Sequence, residues 1–185
     1  LYAEGPASGT FNSNGNQVTV YAASGGGGGA GMSESGSQNI FGGDGGYGVQ
    51  GIFTSDITPP FSQPYAVGGG GSNGNPGPGS QGNDGSDGGA TSIANLFSLN
   101  AGTGGNNGAE NTNGNDGSPG NVGSGSFLRS VNFSANHDLS NTIPNTFTFG
   151  LSSSYGARGQ GGRRNQHGMS VEAGKKGLLY VFDNS

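Results

Sequence analysis

The chain has 185 residues, among them 44 Gly, 8 Pro and no Cys, and only 28% are hydrophobic. Such a composition excludes an ordinary oily core and a disulfide-stapled fold, and a net charge of −5 with a pI near 4.6 argues against a nucleic-acid surface. Glycine and proline together make up about 28% of the residues, the level of disordered low-complexity sequence unless a period organises it.

A period does organise it. After an irregular, turn-rich lead over 1–16, residues 17–23 (QVTVYAA) are β-branched and aromatic with short alternation, and predict a strand. Glycine then falls at 25, 28 and 31, slips register near Met32 to Ser35, and resumes at 36, 42, 45, 48 and 51, with Asn39 in a glycine slot. Residues 52–67 (IFTSDITPPFSQPYAV) have no such period and read as an apolar loop stiffened by Pro59, Pro60 and Pro64. A second run over 68–88 carries glycine at 68, 71, 74 and 77, slips by one at Pro78, and continues at 79, 82, 85 and 88. Residues 89–101 form a short apolar connector.

The third run, 102–123, is the most regular. Glycine occupies 102, 105, 108, 114, 117, 120 and 123, and the one break is Asn111, a residue type that tolerates glycine-like backbone angles. Residues 124–155 are the longest non-repetitive stretch. FLRSVNFSA and NTFTFGLSS within it predict strands of a hairpin-like excursion, with Phe127, Val131 and Phe133, then Phe147, Phe149 and Leu151, on period-two positions. A fourth run over 156–177 has glycine at 156, 159, 162, 168, 174 and 177, with Asn165 and Val171 replacing it. Residues 178–183 (LLYVFD) predict a closing strand.

Glycine at every third residue leaves one edge of a three-residue-per-turn helix without side chains, so that another backbone can approach. The expected fold is therefore a single domain over 1–185, irregular and all-β-like, without α-helix. It is a bundle of four glycine-rich polyproline II (polyglycine II) helices with short terminal β-strands. The glycines expected to face inward include Gly45, Gly48, Gly71, Gly74, Gly105, Gly108, Gly117, Gly120, Gly159 and Gly162. Each run of 21–27 residues would span roughly 65–85 Å. With the runs alternating up and down, strands 17–23 and 178–183 pair at one end, and loops 52–67 and 124–155 share the other.

No motif carries catalytic chemistry. His137 and His167 lack a ligand partner nearby in sequence, and no metal site or cofactor is expected. The pieces NDGSDGG (83–89) and NGNDGS (113–118) faintly suggest calcium loops, but they lack the closing Glu of an EF-hand and the full RTX nonapeptide, so solvated faces are the favoured reading. GGGGGAG (25–31) is not a phosphate loop, since no Lys-Ser/Thr and no helix pattern follow it. Arg158, Arg163, Arg164, Lys175 and Lys176 read as a solvated face. No apolar run reaches the length of a membrane span and no signal-peptide pattern is read, so no membrane insertion is expected. Sparse proline and interrupted runs argue against collagen.

The opening GTFNSNGNQVTVYAASGGGGGAG (9–31), the closing GLLYVFDN (177–184) and the interrupted triplets between them are similar to glycine-rich domains of phage tail proteins. They look like the polyglycine II sandwich of tail-fibre adhesins from T-even-like phages. The chain departs from that pattern in having Asn14-Gly15-Asn16 where a proline is expected before the first strand. The resemblance implies a non-enzymatic, extracellular virion tail component whose loops touch a bacterial surface. Its partners would be other tail or fibre proteins and a protein or glycan receptor, with homo-oligomerisation allowed. Phe53, Pro60, Phe61, Tyr65, Phe133, His137, Phe147 and Phe149 are the expected contacts, against the plainer role of aromatics that cap the bundle. The alternatives are an extracellular filament subunit that polymerises through strand 178–183, an antifreeze protein, which ranks lower because outward run positions are Asn, Asp, Gln, Arg and Glu, and a disordered chain.

Overall fold

The computed structural model describes residues 1–35, 38–75, 82–108, 112–125, 129–132, 163–165 and 168–184, and the strands among them make two five-stranded antiparallel sheets and two small hairpins. No helix occurs among the described residues. The first sheet runs β1 (Tyr2–Glu4), β14 (Leu178–Asp183), β3 (Gln17–Ala23), β6 (Val49–Asp56), β11 (Arg129–Asn132). The second runs β10 (Val122–Ser124), β9 (Phe97–Leu99), β8 (Thr91–Ile93), β7 (Phe61–Val67), β2 (Ala7–Ser13). The hairpins are β4 (Ser33–Ser35) with β5 (Gln38–Ile40), and β12 (Arg163–Asn165) with β13 (Gly168–Ser170).

Contrary to the expectation from composition, the two sheets do enclose an apolar core, and alternation builds it. β3 sends Val18, Val20 and Ala22 to one face, and β14 adds Leu179 and Val181. The second sheet answers with Phe11, Val67, Ile93, Phe97 and Leu99 in the same buried cluster, so the sheets pack face to face. Each of the Val, Leu, Ile and Phe side chains contributes about 1.5–3 kcal/mol on burial. β14 pairs with β3 from Leu178↔Ala23 to Asp183↔Val18, which brings the chain's opening and closing strands together. On the outer face of the first sheet, Tyr2, Tyr180, Tyr21 and Ile52 stand opposite one another in a row across four strands. Burial pushes the Tyr21 phenol above its ordinary value of 10.0.

Residues 52–67 are not a loop. They form most of β6 and all of β7, whose exposure alternates along its length. Pro64 masks this, because proline is a poor interior-strand residue. Its carbonyl accepts the Ala94 N–H at 2.9 Å, so its nitrogen also faces β8, at the point where β8 has ended at Ile93. The donor that proline lacks is thus missing only at the end of the ladder. Residues 89–101 likewise contain the β8–β9 hairpin, turned at Asn95 with φ 61°, a conformation that asparagine tolerates. The start of 124–155 closes the sheets through β10 and β11, and the strand expected around 147–151 lies outside the described residues. Loop 52–67 and the described part of 124–155 thus belong to the same end as β3 and β14, not to the opposite end. β14 lies between β1 and β3 and offers no open edge for polymerisation.

The glycine runs leave this sandwich together and are folded in half. The chain goes out over 24–31, reverses through β4 and β5, and returns over 41–48 into β6. It goes out again over 68–75 and back over 82–89, then out over 100–108 and back over 113–121. A last return over 171–177 leads into β14. The register slip at Met32–Ser35 and the Asn165 replacement fall at the β4–β5 and β12–β13 hairpins, where the direction reverses, while Pro78 and Asn111 lie outside the described residues. What read as four long rods is a set of runs of about eight residues.

Residues 24–31 are the axis of this arrangement. Every residue from Ser24 to Met32 is buried. Successive N–H groups from 24 to 31 donate in rotation to three neighbours: Ser24, Gly27 and Ala30 to Val49, Gly46 and Gly43; Gly25, Gly28 and Gly31 to Gly89, Ser86 and Asn83; Gly26 and Gly29 to Lys175 and Glu172, all at 2.8–3.0 Å. In the reverse sense, Gly71 and Gly74 donate to Gly26 and Gly29, and Gly102 and Gly105 donate to Gly25 and Gly28. A run enclosed by five others has little room for side chains: at Gly25, Gly27 and Gly28 a methyl group would come within 2.1 Å of a neighbour's carbonyl oxygen, and this is the physical reason for GGGGGAG. Peripheral runs such as 114–120 (GNDGSPG) need glycine only on the contact edge.

Of the inward glycines expected from sequence, Gly45, Gly48, Gly71, Gly74, Gly105, Gly108, Gly117 and Gly120 all sit where a methyl group would come closer than 3.0 Å to a neighbour's carbonyl oxygen. Gly159 and Gly162 lie outside the described residues. Gly28→Ala would press on the Ser72 carbonyl and is expected to cost more than about 4 kcal/mol. At Gly69 the nearest atom is Pro6 Cβ at 3.6 Å, an ordinary contact, so Gly69→Ala should be neutral or stabilising by about 0.4–1 kcal/mol. Urea unfolding of the two variants beside wild type measures the difference.

Candidate functional site

The strand ends pointing away from the glycine runs form an open end of the sandwich. Three turns meet there: 14–16 between β2 and β3, 57–60 between β6 and β7, and 94–96 between β8 and β9. Each is tied down. The Ser13 hydroxyl accepts the Gly15 N–H at 3.0 Å and donates to the Asp183 carboxylate at 2.7 Å. The Ile57 N–H donates to the Asn16 carbonyl at 2.8 Å, which fastens the first turn to the second. The Asn95 side-chain amide donates to Gln63 Oε1 at 3.0 Å, which fastens the third to β7.

Two clefts open between these turns. One, of about 470 Å³, is lined by Thr54, Asp56, Ile57, Thr58, Phe61 and Asn95, among others. The second, of about 430 Å³, has Asn12, Asn14, Pro60, Phe61 and Asp183 in its wall. Phe61 is common to both. Carboxylates, amides and hydroxyls beside an aromatic ring suit recognition of a polar, hydroxyl- or amide-bearing surface. Among the described residues no group of three or more His, Cys, Asp or Glu is placed to hold a metal ion.

Of the expected contact residues, Phe53, Pro60, Phe61 and Tyr65 lie among the described residues. Pro60 is exposed at the tip of the second turn. Phe61 is half-buried against the core, its ring centroid 6.0 Å from that of Phe11. Tyr65 lies further along β7, also packed on the core, and covers Gly9 on β2, where a methyl group would come within 3.0 Å of its ring. Both pack on the core of the sandwich rather than over the end of the glycine runs. Phe53 stands in β6 opposite Val20. Phe133, His137, Phe147 and Phe149 lie outside the described residues. Asp56, Thr58 and Asn95 were missed in the sequence reading, although DITPP and the lone Asn of the β8–β9 turn are turn signals that could have pointed to this end.

The Asn/Asp-rich pieces are exposed, as the favoured reading expects, and their side chains also bind the neighbouring run. Asp84 and Asp87 accept the backbone N–H groups of Asn107 and Gly104 at 2.6 and 2.8 Å, one on each successive triplet. Asp116 accepts the Asp44 N–H at 2.8 Å, and Asn113 the Phe41 N–H at 3.0 Å. The hydroxyls of Ser86 and Thr103 accept from Ser72 and Ser118 in the same way. These side chains satisfy amides of the neighbouring run that its own glycine contacts leave unpaired. No helix among the described residues is long and apolar enough to cross a membrane.

No protein-family model matches the chain, and no curated protein is significantly similar to it.

Removing either carboxylate should loosen the bundle. Asp84→Ala and Asp87→Ala are each expected to lower stability by about 1 kcal/mol, since both sites are exposed. Calcium should leave the melting temperature of wild type unchanged. Thermal unfolding with calcium and with chelator checks both points, and stabilisation by calcium that the variants abolish would restore the metal reading.

Proposed function

We propose that this chain is a bacteriophage tail protein, a tail-fibre tip adhesin that holds a receptor-contact surface on a polyglycine II scaffold. The observation that carries the reading is the rotation of backbone hydrogen bonds along 24–31 through three directions. Amides that return to one direction every third residue fit three residues per turn, the geometry of polyproline II. At about 3.1 Å per residue, runs of about eight residues extend roughly 25 Å. Such a scaffold is stiff without an oily interior, and it presents the open end of the sandwich as a site for recognition. The partners would be other virion tail or fibre proteins and a surface receptor, protein or glycan, of a bacterial cell. Contact would be made at the two clefts by Asp56, Thr58, Pro60 and Asn95, with Phe61 holding their wall.

Binding of the purified chain to intact bacteria tests this. Asp56→Ala, Thr58→Ala and Asn95→Gly are each expected to weaken wild-type binding about tenfold, or ~1.4 kcal/mol, in chains that remain folded. Binding that survives all three variants places the receptor contact elsewhere. Failure of wild type to bind any plausible host removes the adhesin reading.

One observation favours a second function. Ser8, Ala66, Ser92, Ser98 and Ser124 stand opposite one another in a single row across all five strands of the second sheet. Thr10 and Pro64 form the next row on that face, followed by Asn12 and Ser62. This uncharged face of small side chains is the regular surface that an antifreeze protein requires and that the glycine runs lack. Measurement of thermal hysteresis decides it, with loss of activity in Ser92→Lys expected on this reading and no hysteresis in wild type excluding it.

A further inference from the structure

Among the described residues the two sheets end in four edges, and three of them are blunted. β1 has three residues and carries Glu4, which is paired with Lys176. β10 has three residues and a register break between Val122 and Ser124. β11 has four residues and carries Arg129. Short length, charge and bulges are the devices by which sheet edges avoid pairing with another chain. β2 has none of them. It is seven residues long (ASGTFNS), uncharged, free of proline and of register breaks, and exposed at Ser8, Gly9, Thr10 and Asn12.

The pairing pattern shows which of its backbone groups are open. Because the Pro64 carbonyl binds Ala94, the backbone groups of 62, 64 and 66 face β8, and those of 61, 63, 65 and 67 face β2. Their partners on β2 are Ser13, Phe11, Gly9 and Ala7. The N–H and C=O groups of Ser8, Thr10 and Asn12 therefore point outward, away from β7.

We propose that β2 is the contact edge of a symmetric dimer, in which two copies pair antiparallel about a two-fold axis at Thr10 and join their second sheets into one of ten strands. The edge is self-complementary in that arrangement. Thr10 meets Thr10 of the second copy, and Ser8 meets Asn12. Such pairs of small polar residues are favourable across strands. On the inner face Gly9 meets Phe11, so no two bulky side chains oppose each other. Each chain carries a net charge of −5, yet β2 contributes none of it, and the two copies meet where like charges are absent. A strand of unrelated sequence would satisfy the same backbone groups, but only a second copy is matched at every side-chain position by what β2 itself carries.

Sedimentation equilibrium of the whole chain tests the proposal. Wild type is expected at about twice the 18.1 kDa chain mass, dissociating on dilution. Thr10→Pro removes an outward N–H that β7 does not use, and Thr10→Lys places like charges on the axis. Both should be monomers at the same concentration, with the melting temperature of wild type diluted to the monomer. A wild type that remains monomeric at the highest soluble concentration overturns the proposal. So does a dimer that persists unchanged in folded Thr10→Lys.

Discussion

The structure depends on backbone hydrogen bonds between neighbouring extended runs, and above all on those made by residues 24–31. A bond of this kind is worth only about 0.5–1.5 kcal/mol net, and ordering a glycine opposes it with an entropy cost larger than that of any other residue. An isolated run would not hold. The 24–31 run holds because every N–H from Ser24 to Gly31 is paired, with three separate neighbours in turn. Close approach is the condition for this pairing, and a single methyl group on the contact edge violates it.

The two halves of the molecule solve complementary problems. The sandwich supplies the apolar burial that the glycine runs cannot, through Val18, Val20, Leu179, Ile93, Leu99 and their neighbours. It also sets the register of the runs, because β3, β6, β7, β8, β9, β10 and β14 each continue directly into one. Ser24 marks the junction: its hydroxyl accepts the Val49 N–H at 2.9 Å and donates to the Asn100 carbonyl at 2.9 Å, linking three runs where they leave the sheets. Thr91 does the same on the other side, accepting from Gly68 and donating to the Ala23 carbonyl. The open end of the sandwich is thereby held on a frame with little freedom to shift.

The sequence made some of this legible. QVTVYAA and LLYVFD are strands because their alternation and β-branching leave little else, and the triplet glycines marked which stretches lie against other backbones. The reversal at β4 and β5 was visible only as a slip in register at Met32–Ser35, and that at β12 and β13 only as Asn165 in a glycine slot, and either reads equally as a tolerated fault in a longer rod. The strands at 52–67 were hidden by Pro64, whose missing donor falls at the end of the β8 ladder. The clearest signal left unused was GGGGGAG. Glycine on one position in three declares one contact edge, whereas a stretch with no side chain larger than Ala declares contact on every side. The Asp84, Asp87 and Asp116 carboxylates could not be placed from sequence, since their partners are backbone amides of runs distant along the chain.

Amide hydrogen exchange followed residue by residue by NMR measures the central claim most directly. All amides from Ser24 to Gly31 should exchange slowly as one uninterrupted block, while the peripheral run 113–121 should show slow exchange at Gly114, Gly117 and Gly120 with Asn115 fast between them. Fast exchange throughout 24–31, or protection there on alternate residues as in an edge strand, would contradict an enclosed run bonded in three directions.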